Sequence, residues 1–239
     1  MILAFETSAK AASVALMEDG VLLGETYQNT GLTHSQTLLL MAENLLASCG
    51  KTPADGTAVA VAAGPGSFTG VRIGVAAAKG FAWGKELPCY GVSTLEAMAE
   101  GLGVYEGYIV PTMDARRSQT YTAIFRAEGG KRTRILDDCA ISFEELGEKL
   151  KNCEKPIFLV GDGAKLCYNI LSKQVAGLVL PPEHRCHQRA AGVALLAQQM
   201  IDAGLPGDGA GLAPNYLRPS QAERERLARE KEKGVCDNE

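Results

Sequence analysis

The segment from Thr57 to Trp83 constrains the fold more than any other part of the chain. Thr57 to Ala63 is a short apolar run, which is typical of a strand buried on both faces of a sheet. The run ends in Gly64-Pro65-Gly66, and a helical pattern follows from Gly70 to Trp83. A buried strand joined to a helix by a tight loop predicts an α/β protein.

The chain before this segment predicts an antiparallel beginning. Apolar, β-favouring runs cover Ile2 to Thr7, Ser13 to Met17 and Val21 to Tyr27. Glu18-Asp19-Gly20 separates the last two runs and has the Asp-Gly pair that favours a tight hairpin. These residues therefore predict a meander of strands at the N-terminus.

Helices and further strands complete the first half. A helix is predicted from about Ser35 to Cys49, with Ser35 as its N-cap and Gly50 at the C′ position. A strand from Pro88 to Val92 follows, and then a short helix from Ser93 to Gly101 that is capped by Ser93 or Thr94. The resulting order, βββαβαβα, fills residues 1 to about 102.

The second half begins in the same way as the first. Strands are predicted at Tyr108 to Met113, Gln119 to Arg126 and Ile157 to Val160, and a helix at Gln188 to Asp202. We therefore predict an N-terminal lobe of residues 1–102 and a C-terminal lobe of residues 103–219. Residues 220–239 mix acidic and basic side chains evenly, which predicts a solvated, fraying tail.

Composition excludes several classes of protein. The chain has 239 residues, 46% hydrophobic residues and 22% charged residues, and no apolar run approaches the roughly 18 residues of a membrane span. Seven scattered cysteines predict reduced thiols and a cytoplasmic location. A net charge of -4 predicts that this chain does not bind a nucleic-acid backbone by itself, so any nucleic acid must be held mainly by something else.

Two helices of the first half carry candidate contact surfaces. The helix from Ser35 has more leucines than one core-facing stripe requires, which suggests either a partner helix or deep burial in one domain. The next helix presents small residues at helical spacing, where a bulky residue at Gly74 is expected to block pairing and leave the fold intact. The predicted interface residues are Leu38, Met41, Leu45, Gly70, Gly74, Ala77 and Phe81.

Polar residues at the ends of strands predict a cleft between the lobes. Carboxylates and hydroxyls at such positions suit magnesium and phosphate. The glycine-rich loop fits neither the dinucleotide fingerprint nor the P-loop, so a structural turn stays open as the alternative. The candidate cleft residues are Glu6, Thr7, Ser8, Gly64, Gly66, Ser67 and Asp114.

Four segments together resemble one known family. They are Ile2 to Ser8, the block GPGSFTGVRIGVAAAK from Gly64 to Lys79, Met113-Asp114-Ala115-Arg116-Arg117, and Pro214-Asn215-Tyr216-Leu217-Arg218. In this order they resemble the TsaB family of bacterial tRNA threonylcarbamoyladenosine biosynthesis proteins, also described as glycoprotease-like. The resemblance implies a two-lobed actin-like ATPase (sugar kinase, heat-shock 70) fold with a mixed central sheet in each lobe.

The resemblance also implies a function without catalysis by this chain. Family members pair through helices of the N-terminal lobe with the catalytic subunit TsaD. With the ATPase TsaE, TsaD forms N6-threonylcarbamoyladenosine in tRNA that reads codons starting with A. We therefore expect an accessory subunit that meets tRNA only through the complex, forms a homodimer when alone, and has no cofactor of its own. A nucleotide at the inter-subunit surface is compatible with this role.

One departure from the catalytic relative supports the accessory role. That relative carries an H-x-x-x-H metal pair, and the matching positions here are Thr94 and Met98. A neutral hydroxyl and a thioether are poor substitutes for imidazole, so no metal site is expected. An actin-fold small-molecule kinase or ATPase and a metallopeptidase-like protein stay open as alternatives.

Overall fold

The computed structural model describes residues 1–102, 105–154 and 156–218, and the tail predicted for residues 220–239 lies outside them. The strands are β1 Ile2–Glu6, β2 Ala12–Glu18, β3 Val21–Gln28, β4 Ala58–Gly64, β5 Cys89–Ser93, β6 Gly107–Asp114, β7 Gln119–Glu128, β8 Lys131–Ser142, β9 Ile157–Val160 and β10 Leu178–Val179. The helices are α1 His34–Ser48, α2 Phe68–Trp83, α3 Thr94–Glu100, α4 Phe143–Leu150, α5 Ala164–Leu171 and α6 Ala190–Asp202.

The first sheet has the order β3-β2-β1-β4-β5. β1 pairs antiparallel with β2 and parallel with β4, so the sheet is mixed. Asp19 and Gly20 both have positive φ, 48° and 76°, as a tight hairpin of the Asp-Gly type requires. The predicted hairpin and the element order of the first half are confirmed.

The second sheet repeats this arrangement with the order β10-β9-β6-β7-β8. β6, β7 and β8 form an antiparallel meander, and β9 adds parallel to β6. The sequence analysis did not predict β8, α4, α5 or β10. β8 lies at an edge, and every second residue from Lys131 to Asp137 is exposed, so it lacks the apolar run that marks a buried strand.

Each sheet is covered by helices on both faces. On one of the two faces, the helix comes from the other half of the chain. α1 and α2 cover one face of the first sheet, and α6 covers its other face. α4 and α5 cover one face of the second sheet, and α3 covers its other face. The prediction that residues 103–219 form the C-terminal lobe is therefore wrong for α6, because this helix belongs to the core of the N-terminal lobe.

Two of the three predicted helix caps form as expected. The amides of Gly50 and Lys51 donate to the carbonyls of Ala47 and Leu46, which is the predicted glycine C-cap. The Ser93 side chain accepts from the amide of Glu96, as predicted. The predicted Ser35 cap is wrong, since α1 begins at His34 with Thr33 at its N-cap. The His34 ring, which bonds the carbonyl of Ala9 at 2.8 Å, holds this end of the helix.

Candidate functional site

A cleft lies between the lobes, where strands of both sheets end. Glu6 ends β1, Asp114 ends β6 and Asp162 follows β9, while the glycine-rich loop follows β4. The cleft has a volume of about 610 Å³. Its lining includes Ser8, Gly66, Ser67, Asp114 and Asp162. The structure thus brings together polar residues that the sequence places far apart.

Glu6 and Thr7 are buried beside the cleft and are occupied by their own chain. Glu6 is fully buried, and its Oε1 accepts from the Ser8 amide at 2.6 Å. Burial raises the pKa of Glu6 to about 7, although the hydrogen bonds from Ser8 oppose this rise. Thr7 Oγ1 donates to the carbonyl of Gly70 at 2.8 Å. Thr7 therefore holds the end of β1 against the start of α2, while Glu6 makes a local contact with Ser8.

The glycine-rich loop is also held by its own chain. A Cβ at Gly64, where φ is 120°, would overlap the carbonyl of Asn215, and a Cβ at Gly66 would overlap that of Ser8. The Ser67 amide donates to the Ser8 carbonyl at 2.6 Å. Glycine is required here because two backbone segments approach closely. This geometry favours the structural turn over a phosphate-binding loop.

Asp162 is a cleft residue that the sequence analysis did not select. Desolvation raises its pKa, and Gln188 Nε2 donates to its Oδ1 at 3.4 Å, which opposes the rise. Asp114 Oδ1 accepts from the Arg116 amide at 2.7 Å. The signal for Asp162 was its position two residues after the end of β9, which is close to the position of Asp114 at the end of β6.

The segment Pro214–Arg218 crosses the mouth of the cleft and contacts both lobes. The Tyr216 ring stacks on Phe68 with 4.6 Å between centroids, and its hydroxyl accepts from Arg72 Nε at 2.8 Å. On the other side, Arg218 Nη1 donates to the carbonyl of Ala115 at 3.0 Å. This role follows from tertiary contacts, so no local pattern could have predicted it.

The predicted helix interface needs correction on α1. Leu38, Met41 and Leu45 are buried in the core under the first sheet, so they cannot supply contact area to a partner. The apolar residues that α1 presents to solvent are Leu39 and Leu40, which are 62% and 56% exposed. The leucines of α1 are therefore divided between the core and an exposed apolar surface.

The small residues of α2 need a similar correction. A Cβ at Gly70 would overlap the carbonyl of Thr7, and a Cβ at Gly74 would lie 2.5 Å from Thr7 Oγ1. These glycines face β1 rather than a partner, so a bulky residue at Gly74 would disturb the fold itself. Ala77 and Phe81 are partly buried against the same core.

The outward side of α2 carries other residues. Ala76, Gly80 and Trp83 are exposed, and Trp83 is 86% exposed. α1 and α2 cover the same sheet face. We call Leu39, Leu40, Ala76, Gly80 and Trp83 together the outer helix face. Exposed apolar residues that form a contiguous surface are typical of an interaction site.

Thr94 and Met98 lie one turn apart on α3, where this helix meets the second lobe. Thr94 is fully buried and its Oγ1 has no hydrogen-bond partner within the described residues. Met98 packs in the apolar cluster between α3 and the second sheet, close to Gly161. Within the described ranges, no group of at least three histidine, cysteine, aspartate or glutamate residues could hold a metal ion.

Two lobes with the same mixed strand order, a cleft between the strand ends and exchanged helices define an actin-like ATPase fold. The chain superposes on YeaZ from Pseudomonas aeruginosa with a TM-score of 0.74 and 24% identity, over 90% of this chain and 99% of that one. The predicted fold class is confirmed.

Sequence comparison then gives the family. The chain is 32% identical to the tRNA threonylcarbamoyladenosine biosynthesis protein TsaB of Bacillus subtilis, over 93% of this chain and 96% of that protein. It is 34% identical to TsaB of Escherichia coli, over 92% and 96% of the two chains. A model for TsaD, tRNA N6-adenosine threonylcarbamoyltransferase, matches residues 28–226. The chain belongs to the TsaB family, as the resemblance predicted.

No helix within the described residues is both long and apolar enough to span a membrane.

Proposed function

We propose that this chain is a non-catalytic subunit of a tRNA-modifying complex that forms N6-threonylcarbamoyladenosine in tRNA reading codons that start with A. Its relatives are named as biosynthesis proteins for this nucleoside. The partner is a TsaD-type catalytic subunit, which has enough sequence in common with this chain for its family model to match. A TsaE-type ATPase completes the complex.

The outer helix face is the observation that supports pairing. Leu39 and Leu40 on α1 supply aliphatic area, and Trp83 on α2 is the kind of large aromatic residue that dominates many interfaces. Ala76 and Gly80 are small residues on the outward side of α2, so a partner helix can approach closely there. A helix pair of the related subunit fits such a surface, and a second copy of this chain uses it in the absence of that subunit.

The chemistry of the cleft favours an accessory role over catalysis. Glu6 Oε1 and Thr7 Oγ1 are hydrogen-bonded to their own backbone, and the glycine-rich loop packs on Ser8 and Asn215. These are among the groups that a kinase or ATPase of this fold would need for magnesium and phosphate. We propose that the chain has no cofactor of its own, and that any nucleotide lies at the surface between the subunits.

Light scattering after gel filtration tests the proposal. The chain mixed with the TsaD-type subunit of the same organism should elute as a species of heterodimer mass. The variant L39S/L40S should lose this species and keep the thermal stability of the wild type, because both side chains face solvent. Ile135→Ser, which changes a 54% exposed residue on β8 of the other lobe, is the control and should pair normally.

The outcomes separate the function from the interface. A wild-type chain that ignores the TsaD-type subunit would contradict the proposed function. Normal pairing by L39S/L40S would contradict the outer helix face as the interface and leave the function standing. Nucleotide turnover by the chain alone that is lost on Asp114→Ala would favour the kinase or ATPase alternative.

A further inference from the structure

Cationic side chains are concentrated around the mouth of the cleft. Lys10, Arg116 and Arg218 line the cavity, and Arg72 packs on Phe68 and Tyr216, which also line it. Arg117 follows Arg116 in the same exposed turn. We call Lys10, Arg72, Arg116, Arg117 and Arg218 the cationic rim. The two carboxylates that line the cavity are Asp114 and Asp162, so the rim has a positive excess in a chain whose net charge is -4.

Two arginines of the rim differ from several arginines elsewhere in the protein. Arg132, Arg134 and Arg189 form ion pairs with glutamate or aspartate. In the part of the chain that the structure describes, Arg116 and Arg117 form no ion pair within 4.0 Å, although both side chains are exposed. Within the described residues, no carboxylate therefore competes with an outside anion for these two side chains.

The backbone holds these two arginines in an unusual turn. Arg116, Arg117 and Ser118 have φ values of 61°, 55° and 58°, a left-handed conformation that side chains with a Cβ adopt at a cost. The turn is closed by hydrogen bonds between Ala115 and Gln119 and between Gln119 and Arg116, at 3.1 and 3.2 Å. Strain of this kind is retained where the surrounding structure enforces it, and it is concentrated at functional positions.

We propose that the cationic rim binds the phosphate backbone of the RNA substrate, so that this subunit contacts tRNA directly within the complex. The inference rests on the proposed function. Arginine is suited to phosphate because its planar guanidinium donates two parallel hydrogen bonds. Contacts of this kind position a nucleic acid without reading its sequence. The net charge of -4 keeps tRNA binding by the chain alone weak, so the rim acts mainly together with the catalytic subunit.

The test compares tRNA binding by the complex across a series of salt concentrations, using fluorescence anisotropy. R116Q/R117Q should bind more weakly than the wild type at each salt concentration. The slope of log Kobs against log salt is negative, and it should become less steep by roughly 0.9 for each phosphate contact that is lost. The matched control is K131Q/K173Q, which removes two exposed charges at the opposite end of the second sheet and should keep the wild-type slope.

A second titration uses the chain alone at low salt, so that the rim is tested even without a partner. Weak tRNA binding that disappears in R116Q/R117Q would support the rim, whether or not the complex forms. An intact complex whose affinity and salt slope are the same for R116Q/R117Q and the wild type would overturn it. Loss of ATP binding with unchanged tRNA binding in R116Q/R117Q would also overturn it, because the site would then serve a mononucleotide.

Discussion

At the scale of single residues, close backbone packing explains most of the glycines near the cleft. Gly66, Gly70 and Gly74 each lie where a Cβ would meet Thr7 or Ser8. The block from Gly64 to Lys79 therefore needs glycine at these positions, because α2 and its preceding loop pack closely on the end of β1. A glycine-rich loop after a buried strand need not bind a phosphate.

Two alanine substitutions in α2 should change stability in opposite directions. At Gly74, a Cβ would lie 2.5 Å from Thr7 Oγ1 and 3.1 Å from Val61 Cγ2, and such overpacking should lower the free energy of unfolding by about 1–3 kcal/mol. At Gly80, nothing lies within 4 Å of an added Cβ, so Gly80→Ala should raise the free energy of unfolding by about 0.4–1 kcal/mol. Urea unfolding measures both, and equal effects would contradict the packing described for Gly74.

Glu6 should make stability depend on pH. Its pKa is raised from an ordinary value of 4.5 to about 7, so between these values the folded state holds a proton that the unfolded state releases. The free energy of unfolding should therefore fall as pH rises through this window, by up to about 3 kcal/mol in total. Glu6→Gln cannot titrate and should remove this fall.

Denaturant unfolding at several pH values between 4.5 and 8 measures the effect. The control is Glu144→Gln, at an exposed position of α4, which should keep the slope of the wild type. Parallel curves for wild type and Glu6→Gln would show that Glu6 does not titrate in this range in the folded protein.

At the scale of elements, helix termini differ in how strongly a side chain holds them. Ser67 caps α2, because its side chain accepts from the amide of Gly70. Thr33 occupies the same position before α1 and makes no such hydrogen bond. α2 therefore depends on its cap, while α1 depends on the contact of His34 with Ala9 and on its buried leucines.

These caps provide a matched pair of variants. Ser67→Ala should lower the free energy of unfolding by about 1 kcal/mol, since it leaves an amide of the first turn without its acceptor. Thr33→Ala should change it by less than about 0.5 kcal/mol, as is usual for exposed positions without such contacts. Thermal unfolding of both variants measures the difference, and a larger loss for Thr33→Ala would contradict the capping described here.

At the scale of the whole molecule, the exchange of helices makes the lobes depend on each other. α6 covers a face of the first sheet with Val193, Ala194 and Ala197, and α3 covers a face of the second sheet with Leu95 and Ala99. The two helices also meet, because a Cβ at Gly192 would overlap the carbonyl of Ala97. Arg134 adds a link by bonding Glu96 of α3 and Asp138 of β8.

This arrangement predicts that neither half of the chain folds alone. A fragment of residues 1–102 lacks α6 and leaves one face of its sheet exposed, while a fragment of residues 103–189 lacks α3. Both should give the narrow amide NMR spectra of unfolded chains, whereas the intact chain should give a dispersed spectrum. A dispersed spectrum from either fragment would show that its sheet does not need the exchanged helix.

The sequence by itself determined the features that rest on local chemistry. The hairpin at Asp19-Gly20, the cap at Gly50, the cap at Ser93 and the order of elements in the first half each depend on a few neighbouring residues. Glu6 and Asp114 were selected as cleft residues because strand ends were visible in the pattern of apolar residues. Such features are predictable because the interactions that form them span only one or two turns of chain.

Only the tertiary structure decided which surface each element covers. Periodicity marked α1 as apolar, but it could not tell that Leu38 is buried and Leu39 exposed, because the helix has leucines on both sides. It could not place α6 on the first sheet, or Tyr216 on Phe68, since these contacts join residues more than a hundred positions apart. Burial is a property of the assembled layers, and the choice among apolar faces is made by packing rather than by propensity.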